Sequence, residues 1–346
     1  MEYQKTVYIF GAGASIGSDF SPNMPGISNF ISKGHSFSKI ETYKNLFRYI
    51  DSEWNIKPKS AEDYKSYNNL NIEELYTHID ISINKFESND YLLSELIKVK
   101  RELFLFMINT LNQAQDHGFC SIHKTFSNSI EKRDTIISFN WDTLLDTALL
   151  NSESGHFQFN QLKRIAHNFQ RDTGGPLSPI PFDFDEGIYL KLHGSFNWLV
   201  CENNGCSQYG MVYINYYRKD DHFICGPSIS ILRCSRCNSH MKNVFVPPTI
   251  NKTFKKHPSI NNLWNFAYRE LERATKIIVI GYSLPPTDFL SNWLLRSACD
   301  KGKINEVIIV DPQNDDLSSK YSNLLGINLK IINTSFKTFK DFVESL

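Results

Sequence analysis

The sequence predicts an α/β fold in which helices cover a doubly wound parallel sheet, with a helical insertion and a small Cys-rich module. Short apolar runs alternate with helical patterns, and a long region of helical periodicity separates the first two of these runs. Five of the seven cysteines lie close together in the chain. Alternation of strands and helices is typical of parallel sheets that are covered on both faces.

The predicted strands are short runs rich in β-branched and aromatic residues, and most end at a polar residue or a glycine. They are Thr6–Phe10, Thr135–Phe139, Ile188–Leu192, Lys276–Ile280, Glu306–Val310 and Leu329–Ile332. Apolar residues at helical spacing predict amphipathic helices over Asn71–Phe86 and Tyr91–Gln115. The polar stretch Asp51–Asn71 predicts a surface loop.

A chain of 346 residues with 41% hydrophobic residues can bury a large core. We expect one catalytic domain over residues 1–346. A Rossmann-like core would comprise residues 1–34 and 132–346, the helical insertion residues 35–131, and the Cys-rich module residues 199–245.

The charge balance and the N-terminus exclude some classes of partner. Lys plus Arg and Asp plus Glu both number 37, so the formal net charge is zero and no global electrostatic attraction to nucleic acid or an anionic membrane is expected. The first residues lack the basic and apolar regions of a signal peptide, and no stretch of about 18 apolar residues occurs. We therefore expect a cytoplasmic protein.

The clustered cysteines predict a structural metal site. Cys201 and Cys206 form one pair, and Cys234 and Cys237 form a second, separated by a loop. Two such thiolate pairs suit a tetrahedral Zn²⁺ with no open coordination position. Two alternatives stay open: Cys225 or His240 could replace one ligand, or the thiols could be reduced and bind no metal.

The turn after the first predicted strand has the composition of a nucleotide-binding turn. It reads Gly11-Ala12-Gly13-Ala14-Ser15, and small residues there let the backbone approach a ligand. A helix beginning near Ser15 would direct its N-terminal dipole at a pyrophosphate. The dehydrogenase pattern G-x-G-x-x-G has Gly at the sixth position, where this chain has Ile16, so an ordinary dehydrogenase is disfavoured. The alternative is a tight strand-to-helix connection only.

Two polar residues follow other predicted strands. Asn140 lies in Ser-Phe-Asn-Trp-Asp, and His193 lies in Lys-Leu-His-Gly-Ser. Together with the glycine turn they suggest one pocket that holds a dinucleotide opposite an amide and an imidazole. The irregular stretch 151–187, with several Gly and Pro residues, could form a mobile cover over it. By themselves, such an Asn and such a His are more often a helix cap and a loop residue.

The motifs occur in an order that resembles the sirtuin family. The matching pieces are Gly11 to Ser15, Ser138-Phe139-Asn140-Trp141-Asp142, His193-Gly194, the paired cysteines, Gly281-Tyr282-Ser283-Leu284 and Val310-Asp311-Pro312. The chain looks more similar to divergent bacterial members, which often destroy NAD⁺ in antiphage defence, than to protein deacetylases. The phrases at residues 191–198 and 246–249 resemble that branch.

The resemblance implies a role for each matching residue. The turn containing Gly11, Ala12, Gly13 and Ser15 would hold the NAD⁺ phosphates. Asn140 and Asp142 would hold the nicotinamide end, and His193 would act as a base near its ribose. Gly281 and Ser283 would line the adenosine side, and Asp311 would bind the adenosine ribose. One departure is that residues 23–30 lack the Arg found in the deacetylases.

The resemblance also implies a function. The leading hypothesis is an NAD⁺ glycohydrolase that forms nicotinamide and ADP-ribose as an antiphage effector, with no cofactor besides the substrate NAD⁺ and a structural zinc. The alternatives are an NAD⁺-dependent protein deacylase and a non-catalytic subunit that binds NAD⁺ or ADP-ribose. An effector must be silent before infection, so we expect control by homo-oligomerisation or by a defence partner such as an ATPase. Residues 283–288 are expected to form a strand exit and a helix cap.

Overall fold

The computed structural model describes most of the chain. The described residues are 5–16, 24–38, 40–60, 63–85, 90–115, 120–131, 133–152, 169–170, 187–210, 212–215, 217–219, 222–225, 233–246, 258–286, 288–300 and 302–346. The chain divides into two compact units. The first comprises residues 1–22, 117–246 and 253–346, and the second comprises residues 23–116 and 247–252.

A six-stranded parallel sheet forms the centre of the first unit. Its strands are β1 (Thr6–Phe10), β2 (Thr135–Ser138), β4 (Tyr189–Lys191), β10 (Lys276–Ile280), β11 (Glu306–Val310) and β12 (Ile332–Asn333). Their order across the sheet is β12-β11-β10-β1-β2-β4. The chain thus starts at the centre, runs to one edge, returns and runs to the other edge. This order confirms the predicted doubly wound sheet.

The strands form where the sequence places unbroken apolar runs. Residues 7–10 of β1 and 277–280 of β10 are buried throughout, as expected for central strands covered on both faces. Strands β2 and β4 are shorter than predicted by one residue at one end and at both ends respectively, and the edge strand β12 differs most from its predicted bounds. Residues 329–331 form a short 3₁₀ turn because the Asn328 side chain accepts the Lys330 backbone N–H at 2.9 Å, and only Ile332–Asn333 pairs with β11.

Helices of the first unit precede or follow these strands along the chain. They are α1 (Ala12–Ile16), α6 (Ser121–Ser129), α7 (Leu144–Leu150), α8 (Pro258–Glu272), α9 (Phe289–Ala298), α10 (Asn314–Leu325) and α11 (Phe339–Val343). Helix α1 starts earlier than the predicted Ser15, because the Ala14 N–H already bonds the Gly11 carbonyl at 3.1 Å and turns the chain directly after β1.

The smaller sheets consist of β3, which precedes β4 in the chain, and of strands that follow β4. Their strands are β3 (Phe169–Gln170), β5 (Gly194–Val200), β6 (Val212–Ile214), β7 (Tyr217–Lys219), β8 (His222–Ile224) and β9 (Lys242–Phe245). Strand β5 lies between β6 and β9 and is buried along its whole length. It carries the chain directly from the end of β4 into the Cys-rich module.

The second unit is helical. Its helices are α2 (Phe30–Phe37), α3 (Lys44–Glu53), α4 (Ile72–Lys85) and α5 (Asp90–Ala114). The two long helices predicted from periodicity are present with bounds shifted by one residue. The predicted loop at 51–71 is wrong at its start, where α3 extends to Glu53, and it contains a 3₁₀ turn at Tyr64–Tyr67.

Buried aromatic rings hold the helices of this unit together. Phe47 on α3 packs edge-on against Phe106 on α5, with ring centroids 5.5 Å apart. Glu102 on α5 accepts the backbone N–H groups of Asn45 and Leu46 at 2.9 Å each, which satisfies donors that the first turn of α3 leaves open. No helix among the described residues is long and apolar enough to span a membrane. Most of the expected cover at 151–187, and residues 247–249, lie outside the described residues.

Candidate functional site

The candidate site lies along one edge of the parallel sheet. Five of the predicted site residues directly follow, or come within two residues of, the carboxyl ends of adjacent strands: Gly11 after β1, Asn140 after β2, His193 after β4, Gly281 after β10 and Asp311 after β11. Since the strands are parallel, these ends share one edge. In a doubly wound sheet, ligands bind at this edge where the strand order reverses, here between β1 and β10.

Two glycine turns cross at this reversal point. The Gly13 N–H donates to the Gly281 carbonyl at 2.9 Å. A Cβ on Gly13 would lie 2.7 Å from the Gly281 Cα, and a Cβ on Gly281 would lie 2.2 Å from the Ala14 nitrogen. Gly281 also has a φ of +63°, which L side chains rarely adopt. These glycines are therefore required for packing of the two turns, in addition to any approach of a ligand.

A side-chain network links the first turn to the end of β2. The Asn140 amide donates from Nδ2 to the Gly11 carbonyl at 2.9 Å and to Ser15 Oγ at 3.4 Å. The Ser15 hydroxyl donates to Asp142 Oδ2 at 2.8 Å. Among the described residues, no donor contacts Asn140 Oδ1. The network therefore fixes the amide plane and leaves Oδ1 to accept a hydroxyl or a water.

Asp142 has structural bonds at both carboxylate oxygens. Its Oδ2 accepts the Ser15 hydroxyl, and its Oδ1 accepts the Leu144 backbone N–H at 3.1 Å, at the start of α7. The side chain is buried. In this structure Asp142 therefore orients Ser15 and begins α7, and its contact with the nicotinamide end, which the resemblance implies, stays a prediction.

A buried ion pair between β4 and α7 is bonded to this network through the Asp142 carbonyl. Lys191 Nζ lies 2.7 Å from Asp146 Oδ2 on α7, and both side chains are fully buried. Lys191 also donates to the Asp142 carbonyl, and the Tyr189 hydroxyl donates to Asp146 Oδ2 at 3.0 Å. Burial raises the pKa of Asp146, and the Lys191 ammonium opposes that rise. The pair ties β4 to the start of α7, so His193 and Asp142 are held on one framework.

His193 is buried at the turn between β4 and β5. Its Nδ1 lies 3.2 Å from the Phe139 carbonyl oxygen, which makes Nδ1 the donor nitrogen of the ring. Its Nε2 lies 3.6 Å from Asp288 Oδ1. Phe139 and Trp264 flank the ring, with centroids 5.3 Å and 6.2 Å away. The imidazole is thus held in one orientation with Nε2 as the proton acceptor.

Asp288 and Tyr282 were not predicted as site residues. Asp288 occupies the N-cap position of α9, as the sequence suggested, but its side chain makes no capping hydrogen bond. Its Oδ2 instead accepts the Tyr282 hydroxyl at 2.8 Å. The Tyr282 ring stacks on Phe139 with centroids 4.5 Å apart. The one sequence signal was an Asp soon after the Gly281 turn, and that signal is indistinguishable from an ordinary helix cap.

The residues expected on the adenosine side are more exposed. Ser283 is exposed, and Asp311 is half-buried at the end of β11. Asp311 Oδ1 accepts the Gln313 N–H at 2.9 Å, which forms a tight turn before α10. At the end of β11, Asp311 Oδ2 can still accept hydrogen bonds from the hydroxyl groups of a ribose.

The four cysteines predicted as metal ligands lie close to one another. The first of them, Cys201, directly follows β5. The Sγ atoms of Cys201, Cys206, Cys234 and Cys237 all lie within 4.8 Å of one another. Thiolate donors at this spacing fit a tetrahedral Zn²⁺. Cys225 lies outside the cluster and donates its backbone N–H to Thr147 Oγ1 on α7 at 3.2 Å. His240 is also outside it, which leaves the four cysteines as the donor set among the described residues.

Comparison with known proteins gives structural matches only. No family model matches the sequence, and no curated protein matches it. A solved Sir2 homologue in complex with NAD is similar at 16% identity and a TM-score of 0.43, covering 99% of this chain and 88% of that one. A mutant Sir2 homologue in complex with ADP-ribose is similar at 14% identity and a TM-score of 0.38, covering 99% and 90% of the two chains. A Sir2 variant with a deacetylated peptide and 3′-O-acetyl ADP-ribose has 14% identity and a TM-score of 0.40, with coverage of 99% and 92%. At these values the matches carry no conclusion about the activity of this chain.

Proposed function

We propose that the protein is an NAD⁺ glycohydrolase that binds NAD⁺ along the carboxyl edge of the sheet. The observation that carries the proposal is the crossing of the two glycine turns at the reversal point of the sheet, with Asn140 bonded to the first turn and His193 bonded to the carbonyl of Phe139, the residue before Asn140. The backbone of the first turn suits a pyrophosphate. An amide and an imidazole beside it suit the ribose that carries nicotinamide.

The reaction requires little more than orientation and a base. Hydrolysis breaks the N-glycosidic bond of NAD⁺, forms a bond from water to the ribose carbon, and gives nicotinamide, ADP-ribose and a proton. Nicotinamide leaves with the bonding electrons as a neutral molecule, so no acid is needed. Asn140 Oδ1 would hold the ribose hydroxyl or the water, and His193 Nε2 would take the proton.

The buried position of His193 suits this chemistry. The rings of Phe139 and Trp264 flank the imidazole, and the ring of Tyr282 stacks on Phe139. These rings would exclude bulk water from one side of the imidazole. A single positioned water can then attack the ribose carbon. The same pocket could instead admit an acyl-lysine, and binding without turnover would make the protein a sensing subunit. These two alternatives are outcomes of the same experiment.

The test uses purified full-length protein incubated with NAD⁺, with and without an acetyl-lysine peptide, and chromatography of the products. We expect nicotinamide and ADP-ribose in equal amounts without peptide. Release only with peptide would replace the proposal by a deacylase. Binding of NAD⁺, seen as a thermal shift, with no release would replace it by a nucleotide-binding subunit. His193→Ala is the matched inactive control.

A place in antiphage defence completes the proposal. It is supported by the sequence resemblance to the divergent bacterial branch. Depletion of NAD⁺ stops metabolism in an infected cell, which agrees with a cytoplasmic effector kept silent by its oligomeric state or by a partner. Expression of the protein with and without phage challenge, with cellular NAD⁺ as the readout, tests this role. Constant NAD⁺ during infection would contradict it.

A further inference from the structure

We propose that Asp288 is a positioning residue that holds the imidazole of His193 and stabilises its protonated form. This inference rests on the proposed function, because it concerns the base of that reaction. Asp288 lies at the start of α9, and His193 lies after the end of β4. The two residues approach each other only through the fold.

The geometry assigns different tasks to the two ring nitrogens. Nδ1 donates to the Phe139 carbonyl at 3.2 Å, so Nε2 carries the lone pair in the neutral ring. Nε2 faces Asp288 Oδ1 at 3.6 Å. A lone pair beside a carboxylate is unfavourable, whereas an N–H⁺ beside it is favourable. The carboxylate therefore increases the proton affinity of the atom that must take a proton from water or a ribose hydroxyl.

The Asp288 side chain is built into this position. It is 3% exposed, and its Oδ2 accepts the Tyr282 hydroxyl at 2.8 Å, which fixes the plane of the carboxylate. The Tyr321 hydroxyl donates to the Tyr282 carbonyl at 2.7 Å and anchors that turn. A charge so deeply buried is costly unless it is partnered. Its backbone serves as the N-cap of α9 while its side chain faces the imidazole instead of the helix N–H groups.

The aromatic rings packed against the imidazole come from two further elements. Phe139 from the end of β2 and Trp264 from α8 are neutral, and Tyr282 belongs to the same turn as Asp288. Burial raises the pKa of Tyr282, and the neighbouring carboxylate raises it further, so this phenol stays protonated and keeps donating. Asp288 is therefore the anionic group that these contacts place against His193.

The carboxylate beside Nε2 gives the pH dependence of activity a defined sign. The base acts when Nε2 is unprotonated, so activity falls as pH drops through the midpoint of the His193 titration. Replacing the carboxylate by an amide removes the charge that favours the imidazolium, so the midpoint moves to lower pH. The plateau rate also falls, because a weaker base takes the proton less readily.

The experiment compares the parent, Asp288→Asn and Asp316→Asn, which makes the same change at an exposed position on α10. We expect Asp288→Asn to lower kcat by about 10-fold or more, to leave KM for NAD⁺ within about 2-fold, and to move the acid limb of the pH profile down by at least about half a unit. Asp316→Asn should match the parent. An unchanged kcat and pH profile in Asp288→Asn would overturn the inference.

A second measurement is independent of activity. NMR titration of ¹³C-labelled histidines, with His193→Gln identifying the signal, gives the midpoint for His193 directly. In Asp288→Asn, and in Asp288→Ser as a second variant without the charge, we expect the midpoint at lower pH than in the parent. An equal midpoint in the parent and in either folded variant would contradict the inference. If the parent protein releases no nicotinamide from NAD⁺, the proposed function fails, whereas release that His193→Ala abolishes and Asp288→Asn leaves unchanged removes the present inference alone.

Discussion

Asn140 and His193 are both oriented by backbone carbonyls, of Gly11 and Phe139 respectively. Backbone carbonyls at a buried sheet edge move little, so the hydrogen bonds from Asn140 Nδ2 and His193 Nδ1 fix both side chains. One polar atom of each then remains to contact a substrate: Oδ1 of the amide and Nε2 of the imidazole. The pair needs no metal to be positioned. At the scale of single residues, the candidate site is therefore preorganised by β1 and β2.

This orientation predicts a loss of activity without a loss of fold. Asn140→Ala and His193→Ala should each reduce nicotinamide release by at least about 10², the usual effect of removing a positioned catalytic group. Circular dichroism should match the parent. His222→Ala, at an exposed position on β8, is the control and should keep the parent rate. Parent activity in both site variants would show that the site is assigned wrongly.

The crossed glycine turns predict an effect on both stability and binding. A side chain at Gly13 would meet the Gly281 backbone at 2.7 Å, so the two turns would have to separate. Gly13→Ala should lower the free energy of unfolding by about 1–3 kcal/mol, and Gly13→Val by more, with weaker NAD⁺ binding in each. Gly302→Ala, where a Cβ would lie 3.5 Å from its nearest neighbour, is the control for denaturant unfolding and calorimetry. Full stability of Gly13→Val would contradict the packing argument.

At the scale of elements, the Cys-rich module is attached to strand β5 of the four-stranded sheet by packing of its cysteines. Buried Cys201 and Cys234 pack against Leu199 of β5 and Met241 next to β9. This apolar cluster is small. A metal joining both pairs of thiolates would supply the remaining stability.

The module therefore predicts about one Zn²⁺ per chain in protein purified without chelator. Cys234→Ser and Cys237→Ser should each lose the metal and lower the unfolding temperature while weakening NAD⁺ binding little. Cys299→Ser, at the end of α9 and outside the cluster, should keep the metal content of the parent. Elemental analysis decides the matter, and zinc-free parent protein would remove this proposal without affecting the NAD⁺ site.

A buried carboxyl group at the start of β2 predicts a pH dependence of stability. Burial raises the pKa of Asp134 to about 6, although the Glu131 backbone N–H partly opposes the rise. In the unfolded chain the value is near about 3.9. The folded state thus holds a proton that the unfolded state has released between about pH 4 and pH 6, so stability falls as pH rises through this window.

Asp134→Asn should remove this dependence. Relative to the parent, the variant should gain up to about 3 kcal/mol in the free energy of unfolding at pH 7 and little at pH 4, which is the shift of about two units converted to energy. Urea unfolding at both pH values, with Asp316→Asn as control, measures it. An equal difference from the parent at both pH values would contradict the assignment.

At the scale of the whole molecule, the chain combines an α/β unit that carries the candidate site with a separate helical unit. A minimal nucleotide pocket does not require the helical unit. We propose that control of activity through self-association or a partner involves it. The proposal draws on the need to keep an NAD⁺-consuming enzyme silent.

This proposal predicts that specific activity depends on assembly. Nicotinamide release per protein molecule should rise with protein concentration, or on addition of a partner, in parallel with the mass measured by light scattering. His193→Ala should assemble in the same way and remain inactive. Full activity of a monomer at all concentrations would contradict control by assembly.

The sequence by itself determined the class of the fold and the grouping of four cysteines. The apolar runs predicted β1, β10 and β11 with their observed bounds, since continuous burial leaves a clear local pattern. Cysteine spacing predicted the four thiols that the structure brings together. The edge strand β12 was misplaced because one Asn side chain decides that turn.

Only the tertiary structure decided which distant residues meet. The strand order places the β1 and β10 turns against each other, so Gly13 is required by the Gly281 backbone. It also places Asp288 against His193. Local periodicity in the sequence predicts burial and secondary structure, because both depend on neighbours along the chain. The approach of Asp288 to His193 depends on topology, and no short pattern in the sequence records it.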